Sequence, residues 1–279
     1  MRILSWNIQY GRAAGGSSGL LQTLHHIRSL GKFDVICLQE IARNFEEYCA
    51  AGQMDQMQII KDEFPDYQAV WGTGFSWPTN LDGHTKRMEF GNLTLVNGSL
   101  LDYKVHQLPL PAAAGQLQMQ RVAVEAIVDT RMGPLSICNT HLAFHDEGER
   151  QSQVAYLCQL DADRRAQIMA PKQASLGAYA VGYLAVARIL CGDCNFGTDF
   201  AQYLYMLEHH WTDAWSICGA AGTRPHTCGL YDLEQWPEGS HSRDFFWLSS
   251  ELAESRISYQ VDTETTLSDH QPLILELEI

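Results

Sequence analysis

Short segments in which apolar and polar residues alternate recur along the chain and predict a protein dominated by β-strands. Side chains of a half-buried strand point alternately to the core and to solvent, so a period of two residues indicates such a strand. The segments are RILSWNI, DVICLQE, YQAVWG, NLTLV, RVAVEAIVD, LSICNTHL, ARILCGDCN, DFFWLSS and PLILELEI. Within them, DVICL and LSIC are continuously apolar, which favours strands buried on both faces.

Helical spacing of apolar residues occurs between these strands, in GLLQTLHHIRSL, MDQMQIIKDEF, GERQSQVAYLCQLDADRRAQIMA and DFAQYLYMLEHH. The first of these segments ends at Gly31, which suits a C-cap. Strands outnumber helices and do not alternate regularly with them, which predicts an α/β protein with two mixed sheets packed face to face and helices outside. Residues 75–86 and 218–242 contain Gly, Pro and Trp and are predicted to be loops, and a single domain is expected over residues 1–279.

The composition is that of a chain with a sizeable core. Hydrophobic residues make up 46% and charged residues 19% of the 279 residues, which speaks against disorder. No secretory signal pattern is recognised in MRILSWNIQYG, and the most apolar stretch is too short and too interrupted for a membrane span. Eight cysteines without such a signal favour reduced thiols, and the Cys191–Cys194 pair is interpreted as incidental. A soluble, cytoplasmic protein is expected.

The charge balance limits which partners the protein binds. The formal net charge is −14, from 33 acidic and 19 basic side chains, and no basic run occurs. Proteins that hold nucleic acid through many phosphate contacts usually carry excess Lys and Arg, so tight nonspecific duplex binding is not expected. A nucleic-acid substrate stays compatible with this charge, because a divalent metal supplies local positive charge.

Polar side chains repeatedly follow or precede the predicted strands at their ends. Strand ends of packed sheets meet at one rim, so these side chains are expected to converge there. They are Asn7, Glu40, His141, Asp193, Asn195, Asp244, Asp269 and His270. Each has a simpler interpretation when taken alone: Asn7 as a turn cap, Glu40 as the start of a helix, and Asp193 as an Asx turn.

Short segments around these residues form a characteristic series, which in chain order is SWNIQYG, ICLQE, EFGNLTLV, NTHL, GDCN, RDFFWL and SDHQP. Their residues and their order resemble the endonuclease/exonuclease/phosphatase superfamily, which includes deoxyribonuclease I, abasic-site endonucleases, inositol polyphosphate 5-phosphatases and neutral sphingomyelinases. The segments span Ser5 to Pro272, nearly the whole chain. The resemblance implies a four-layer α/β sandwich with its site at one end of the two sheets. It also implies hydrolysis of phosphoesters with Mg²⁺ or Mn²⁺.

The resemblance also implies a role for each matching residue. By position, Glu40 and Asp269 match metal-binding carboxylates, and Asn7 matches the asparagine that organises metal and phosphate. Asp193 matches the aspartate that aligns or deprotonates water, with Asn195 beside it. His270 matches the histidine on the scissile phosphate, and Asp244 matches the carboxylate that orients that histidine. His141 matches a second histidine of the deoxyribonuclease-like members, and Glu89 is its expected partner.

The chemistry of phosphoester hydrolysis requires the same residue types. The substrate is anionic and repels hydroxide, so the reaction needs charge neutralisation, an aligned water and a stabilised leaving oxygen. Mg²⁺ prefers oxygen ligands, for which one or two carboxylates such as Glu40 and Asp269 suffice. An ionised Asp193 would act as the base. His141 and His270 would stabilise the phosphate oxygens if nearby carboxylates make them more cationic.

One departure from the family pattern and several flanking residues complete the hypothesis. Gln9 stands where some members have an acidic residue, so a second metal ligand is not expected there. Candidates for contacts with substrate phosphate are Arg12, Lys86 and Arg87. Aromatic residues in or beside the predicted loops are candidates either for stacking on bases or sugars or for packing the loops down: Trp71, Phe75, Trp77, Tyr231 and Trp236.

Three functions are compatible with these sequence features. The first is a metal-dependent phosphodiesterase or nuclease. The second is a phosphatase or phosphodiesterase acting on a small phosphorylated metabolite or lipid headgroup. The third is a catalytically silent binding module with the same fold.

Overall fold

The computed structural model describes residues 1–16, 19–170, 172–173, 176–180, 182–219 and 222–279. The strands of the described part are β1 (Arg2–Asn7), β2 (Val35–Arg43), β3 (Gln68–Leu81), β4 (His84–Val96), β5 (Leu100–Gln107), β6 (Val122–Thr130), β7 (Gly133–His141), β8 (Ala187–Asp193), β9 (Trp211–Asp213), β10 (Asp244–Ser249), β11 (Ile257–Val261) and β12 (Leu273–Leu277). Its helices are α1 (Leu20–Ser29), α2 (Gln56–Glu63), α3 (Glu147–Met169), α4 (Ala201–Glu208) and α5 (Ala214–Ile217). Short 3-10 turns lie at Gln9–Gly11, Gly177–Tyr179 and Ser250–Leu252.

The strands form two six-stranded sheets, both mixed. The first sheet has the order β11-β12-β1-β2-β4-β3, and the second has the order β5-β6-β7-β8-β10-β9. Each contains one parallel pair, β1 with β2 and β7 with β8, and all its other pairs are antiparallel. The carboxyl ends of each parallel pair therefore open onto the same edge of their sheet.

The two sheets enclose one apolar layer, and helices cover their outer faces. Ile3 and Leu4 are neighbours on β1 but belong to different clusters, because successive strand side chains point to opposite faces. Ile3 packs between the sheets, whereas Leu4 packs against α1 and α2. On the far side, α3 and α4 cover the second sheet around Trp247. This order of layers confirms the predicted four-layer α/β sandwich.

All four predicted helices are present, and the predicted loop at residues 75–86 is wrong. Those residues form the end of a long hairpin, in which β3 and β4 pair up to Leu81 and His84 around a turn at Asp82 and Gly83. Pro78 suggested a loop because it lacks an N–H group. However, β3 is an edge strand, and an edge strand tolerates a residue without an N–H donor.

The other predicted loop, residues 218–242, is irregular in its described part, and residues 220 and 221 lie outside the described residues. The additional helix α5 occupies only four residues directly before it. Among the described residues, no helix has both the length and the apolar character needed to cross a membrane.

Candidate functional site

The predicted site residues lie at the edge of the sandwich where the parallel pairs end. Asn7 ends β1, His141 ends β7 and Asp193 ends β8, whereas Asp244 begins β10, which runs in the opposite direction. Asp269 and His270 lie in the turn shortly before β12, which is antiparallel to β1. The strand-end argument therefore brings these side chains to one edge.

Glu40 reaches the site through an irregularity in β2. The pairing of β2 with β4 shifts register between Leu38 and Ile41, and Glu40 has a φ of 60°. Such a left-handed residue is uncommon outside glycine and typical of a bulge that redirects a side chain. The alternative that Glu40 begins a helix is wrong, since β2 continues to Arg43.

Asn7 connects the carboxylates of the two sheets. Its Nδ2 donates to Glu40 Oε1 at 3.0 Å and to Asp193 Oδ2 at 3.0 Å. Its Oδ1 accepts a hydrogen bond from the backbone N–H of Gln9 at 3.0 Å. Carboxylates only accept hydrogen bonds when ionised, so this amide orientation follows from its neighbours. Asn7 thus holds both carboxylates in place, and its own oxygen is already engaged.

Asp193 lies at the centre of this arrangement. Its Oδ1 accepts from the backbone N–H of Asn195 at 3.0 Å, so it forms an Asx turn as well as facing the site. Its Oδ2 lies 3.3 Å from His141 Nε2 and 3.5 Å from His270 Nε2. The Asn195 side chain donates to the Leu142 carbonyl at 3.0 Å, which fixes the turn after β8 against the end of β7.

His270 is held from behind by Asp244. Its Nδ1 lies 2.9 Å from Asp244 Oδ2, and Thr227 Oγ1 donates to the same oxygen at 2.6 Å. Thr227 Oγ1 in turn accepts from the backbone N–H groups of Arg243 and Asp244. Asp244 Oδ2 is therefore engaged by both Thr227 and His270, which fixes the imidazole with Nε2 toward Asp193.

Burial and neighbouring charges shift the pKa values of these groups in different directions. Burial opposes protonation of His270, but Asp244, Asp193 and Asp269 together raise the pKa of this imidazole well above its usual value. Burial opposes ionisation of Asp193, yet His270, His141 and Asn7 hold the pKa of this carboxyl below its usual value. Burial raises the pKa of Asp244 to about 6. The arrangement therefore keeps an ionised carboxylate beside a cationic imidazole.

His141 differs from the expectation that a carboxylate makes it more cationic. Burial, followed by the positive charge of Arg121, lowers the pKa of His141 to about 3. The expected partner Glu89 instead accepts hydrogen bonds from Arg43 at 2.7 Å and from Ser76 at 3.1 Å. No hydrogen bond or ion pair of the described residues joins Glu89 to His141. His141 is a neutral hydrogen-bonding group here.

The donors at this edge fit a divalent cation. Burial and the negative charge of Asp269 raise the pKa of Glu40 to about 7, because two carboxylates approach each other. A bound cation would relieve that repulsion, and oxygen donors are what Mg²⁺ prefers. In the part of the chain that the structure describes, Asp193, Asp244 and His270 also place one donor atom each within 4.8 Å of one another. Asp244 Oδ2 already faces His270 Nδ1 and Thr227 Oγ1, whereas Glu40 accepts only from Asn7 among the described residues, so Glu40 is the less committed carboxylate.

Arg121 and Gln235 were not identified from the sequence, and Trp236 was expected there only as a residue that stacks on substrate or packs a loop. Arg121 directly precedes β6 and is close enough to Glu40 and Asp193 for their charges to affect its pKa, which burial lowers. Gln235 and Trp236 donate to Asp269 Oδ2 at 2.8 and 3.1 Å. For Arg121 a signal existed, since β6 runs antiparallel to β7 and begins at the edge where β7 ends.

The basic residues proposed from the sequence as phosphate contacts lie apart from this centre or at its margin. Arg87 is on the hairpin and bonds to Ser76, and Lys86 is exposed beside it. Arg12 lies beside the hydroxyl group of Tyr10, and this hydroxyl together with the negative charges of Asp232 and Asp269 raises the pKa of Arg12. Of the three, Arg12 is the one next to the edge where the predicted site residues meet.

Comparisons with solved structures find the same fold in several proteins. An endonuclease/exonuclease/phosphatase from Beutenbergia cavernae DSM 12333 has a TM-score of 0.72 and 17% identity, covering 100% of this chain and 71% of that chain. The mannosyl-6-phosphatase Bt3783 of Bacteroides thetaiotaomicron VPI-5482 has a TM-score of 0.64 and 18% identity, with 100% of both chains covered. The human Nocturnin catalytic domain has a TM-score of 0.58 and 20% identity, covering 100% of this chain and 93% of that chain.

A comparison with curated proteins finds no match. The model of the Endonuclease/Exonuclease/phosphatase family matches residues 4–270, almost the same span as the segments that carry the resemblance. This chain belongs to the endonuclease/exonuclease/phosphatase family.

Proposed function

We propose that this protein is a metal-dependent phosphoesterase that hydrolyses phosphodiester bonds, with Asp193 as the base that activates water. The observation that carries the proposal is the setting of Asp193, whose Oδ2 meets Asn7, His141 and His270 in a buried cluster. These donors keep its carboxylate ionised, and an ionised carboxylate within hydrogen-bond reach of a water can take its proton.

His270 supplies positive charge to the phosphate. Its raised pKa keeps the imidazole protonated at neutral pH, while Asp244 keeps the ring oriented. Negative charge that builds up on the phosphate oxygens would be stabilised by this imidazolium. His141 is neutral and contributes an N–H group, and Asn195 holds the turn that carries Asp193.

Glu40 and Asp269 would hold Mg²⁺ or Mn²⁺, with Asn7 orienting Glu40. When bound, such an ion polarises a phosphate oxygen and stabilises the leaving oxygen. Glu40, with a pKa near 7 in the metal-free arrangement, ionises fully as its ligand. Arg121 adds a further positive charge near Glu40 and Asp193 and is proposed to contact the substrate phosphate.

A phosphatase or phosphodiesterase acting on a small phosphorylated metabolite or lipid headgroup is the second candidate. The net charge of −14 favours it over a nuclease, because a long polyanion would be repelled by most of the surface. The catalytically silent alternative is disfavoured, because Glu40, Asp193 and His270 all retain groups suited to catalysis.

The test is hydrolysis of bis(p-nitrophenyl) phosphate by the purified protein with Mg²⁺ or Mn²⁺, with EDTA as the metal-free control. We expect activity that EDTA abolishes, and an Asp193→Asn variant that is slower by about two orders of magnitude or more. Parallel assays on DNA, RNA, inositol phosphates, sphingomyelin and sugar phosphates separate the two candidate substrate classes. Activity that persists in EDTA, or no activity on any of these substrates with either metal, would contradict the proposal.

A further inference from the structure

Residues 227–242, which we call the strap, precede β10 of the second sheet and contact Asp269. The strap is closed on itself by backbone hydrogen bonds between Cys228 and His241, in both directions at 3.0 Å. It is tied to the turn before β12, because the backbone N–H of Gly229 donates to the Asp269 carbonyl at 3.0 Å. The side chains that the strap directs toward Asp269 are therefore carried by a fixed backbone.

Two side chains of the strap donate to the same oxygen of Asp269. Gln235 Nε2 lies 2.8 Å and Trp236 Nε1 lies 3.1 Å from Asp269 Oδ2. An indole N–H only donates and a carboxylate only accepts, so the direction of the second bond is unambiguous. The other oxygen, Oδ1, has Ser268 Oγ at 3.3 Å. The carboxylate is thus asymmetric, with Oδ2 committed to two donors of the strap.

Gln9 continues this arrangement from the opposite side. Its Nε2 donates to Gln235 Oε1 at 2.7 Å, which orients the Gln235 amide with its Nε2 toward Asp269. Gln9 occupies the position where some family members carry an acidic residue. In this chain, that position joins a hydrogen-bond relay from Gln9 through Gln235 to Asp269.

Trp236 is packed tightly on all sides. It is 7% exposed, its ring lies edge-on to His270 with centroids 5.8 Å apart, and the Arg243 guanidinium lies 5.2 Å from its centroid. A side chain at Gly229 would place its Cβ 2.9 Å from the Cβ of Trp236, so only glycine allows this packing. The indole N–H is therefore held in one position relative to Asp269.

We propose that Trp236 and Gln235 are positioning residues that fix Asp269 for cation binding, with Gln9 supporting Gln235. The inference rests on the proposed function, because it assumes that Asp269 is a ligand of the metal. By holding Oδ2, the two donors restrict rotation of the carboxylate, so Asp269 would be held in one orientation for a cation. Residues that orient a metal ligand in this way typically change metal affinity 10–100-fold when replaced.

The experiment measures Mn²⁺ binding to the full chain by isothermal titration calorimetry. Trp236→Phe keeps an aromatic ring but removes the N–H donor, and Gln235→Ala removes the amide donor at an exposed position without adding a charge. We expect each variant to bind Mn²⁺ about tenfold more weakly than the wild type. The matched control is Trp77→Phe on the hairpin, where the tryptophan is 63% exposed, with unchanged affinity expected.

A second readout separates positioning from a general loss of structure. With excess Mn²⁺, we expect kcat of Gln235→Ala to return to near the wild-type value, while the Mn²⁺ concentration for half-maximal rate stays raised. If Trp236→Phe fails to fold, the exposed Gln235→Ala variant still decides the question. Affinity within twofold of the wild type in a folded variant overturns the role of that residue alone. A wild-type protein that binds no Mn²⁺ overturns this inference and the proposed function together.

Discussion

His270 Nδ1 lies 2.9 Å from Asp244 Oδ2, and both side chains are almost completely removed from solvent. The two residues come from opposite sheets: Asp244 begins β10 of the second sheet, and His270 precedes β12 of the first. Their contact therefore links the sheets at the edge where the other site residues meet. It also keeps a positive charge in a buried place, which would otherwise be unfavourable.

The first prediction concerns this pair. Asp244→Asn keeps the shape of the side chain but removes the negative charge that raises the pKa of His270. We expect kcat to fall by about two to four orders of magnitude, as when a buried carboxylate that orients a catalytic histidine is neutralised. We also expect the upper limb of the pH–rate profile to move to lower pH. The same substitution at the exposed Asp129 should leave both quantities unchanged, and an Asp244→Asn variant with wild-type turnover would contradict the assigned role.

The second prediction concerns Arg121. Its guanidinium acts electrostatically on Glu40 and Asp193, and it has no ion-pair partner among the described residues. Arg121→Ala should lower kcat/KM for a phosphoester substrate by about tenfold to a hundredfold, because a charge-assisted hydrogen bond to the phosphate is lost. Steady-state kinetics with Arg131→Ala, at an exposed position, supply the comparison. Equal losses in the two variants would show that net charge, and not a phosphate contact, is responsible.

The third prediction concerns acid stability, away from the site. Burial opposes ionisation of Glu125, yet His106, Arg164 and Ser136 hold the pKa of this carboxyl well below its usual value. A lowered folded-state pKa contributes stability that is fully present above the unfolded value of about 4.3 and is lost as the pH falls further. The protein should therefore lose free energy of unfolding as the pH drops below about 4.

Urea unfolding of Glu125→Gln checks this. At pH 7 the variant should be about 3–5 kcal/mol less stable than the wild type, because Arg164 is left as a buried unpaired charge. Its stability should also depend less on pH below about 4. Glu46→Gln, at an exposed position, should match the wild type at both pH values. A wild-type and a Glu125→Gln protein with the same acid dependence would refute the assignment.

The fourth prediction concerns the polar contact between the sheets beneath the site. Asn139 on β7 donates to the carbonyls of Leu38 and Leu93 in the first sheet at 3.1 Å each, and accepts from Gln39 at 2.7 Å. Asn139→Leu should lower the free energy of unfolding by about 2–4 kcal/mol, since buried polar groups lose their partners. Chemical unfolding measures it, with the exposed Asn80→Ala as control. An unchanged midpoint for Asn139→Leu would show that water or rearranged backbone replaces these bonds.

Hydrophobic periodicity and motif order were sufficient to predict most strands, the four longer helices and the family of this protein. The alternation in RILSWNI and PLILELEI placed β1 and β12, and the four helical patterns appear in the structure with ends shifted by a few residues. The same strand pattern identified Asn7, Asp193 and Asp244 as residues at strand ends, because the end of a strand is visible in the local sequence. The order of the segments identified the family that the comparisons confirm.

The predictions that failed depended on neighbours distant in the chain. Pro78 indicated a loop, but its place on an edge strand makes its missing N–H harmless. Glu89 was paired with His141 by motif position, yet Arg43 and Ser76 on adjacent strands engage it. Neither relationship can be read from the residues next to Pro78 or Glu89.

Strand positions, family membership and the chemical types at the site thus follow from local sequence, since side-chain direction in a strand repeats every two residues. Which side chains touch depends instead on how the two sheets and the strap pack. Trp236 reaches Asp269 across 33 residues, and Asn7 reaches Asp193 across 186. Contacts at such separations arise only when the chain folds, because burial and close packing select them from many possible pairs.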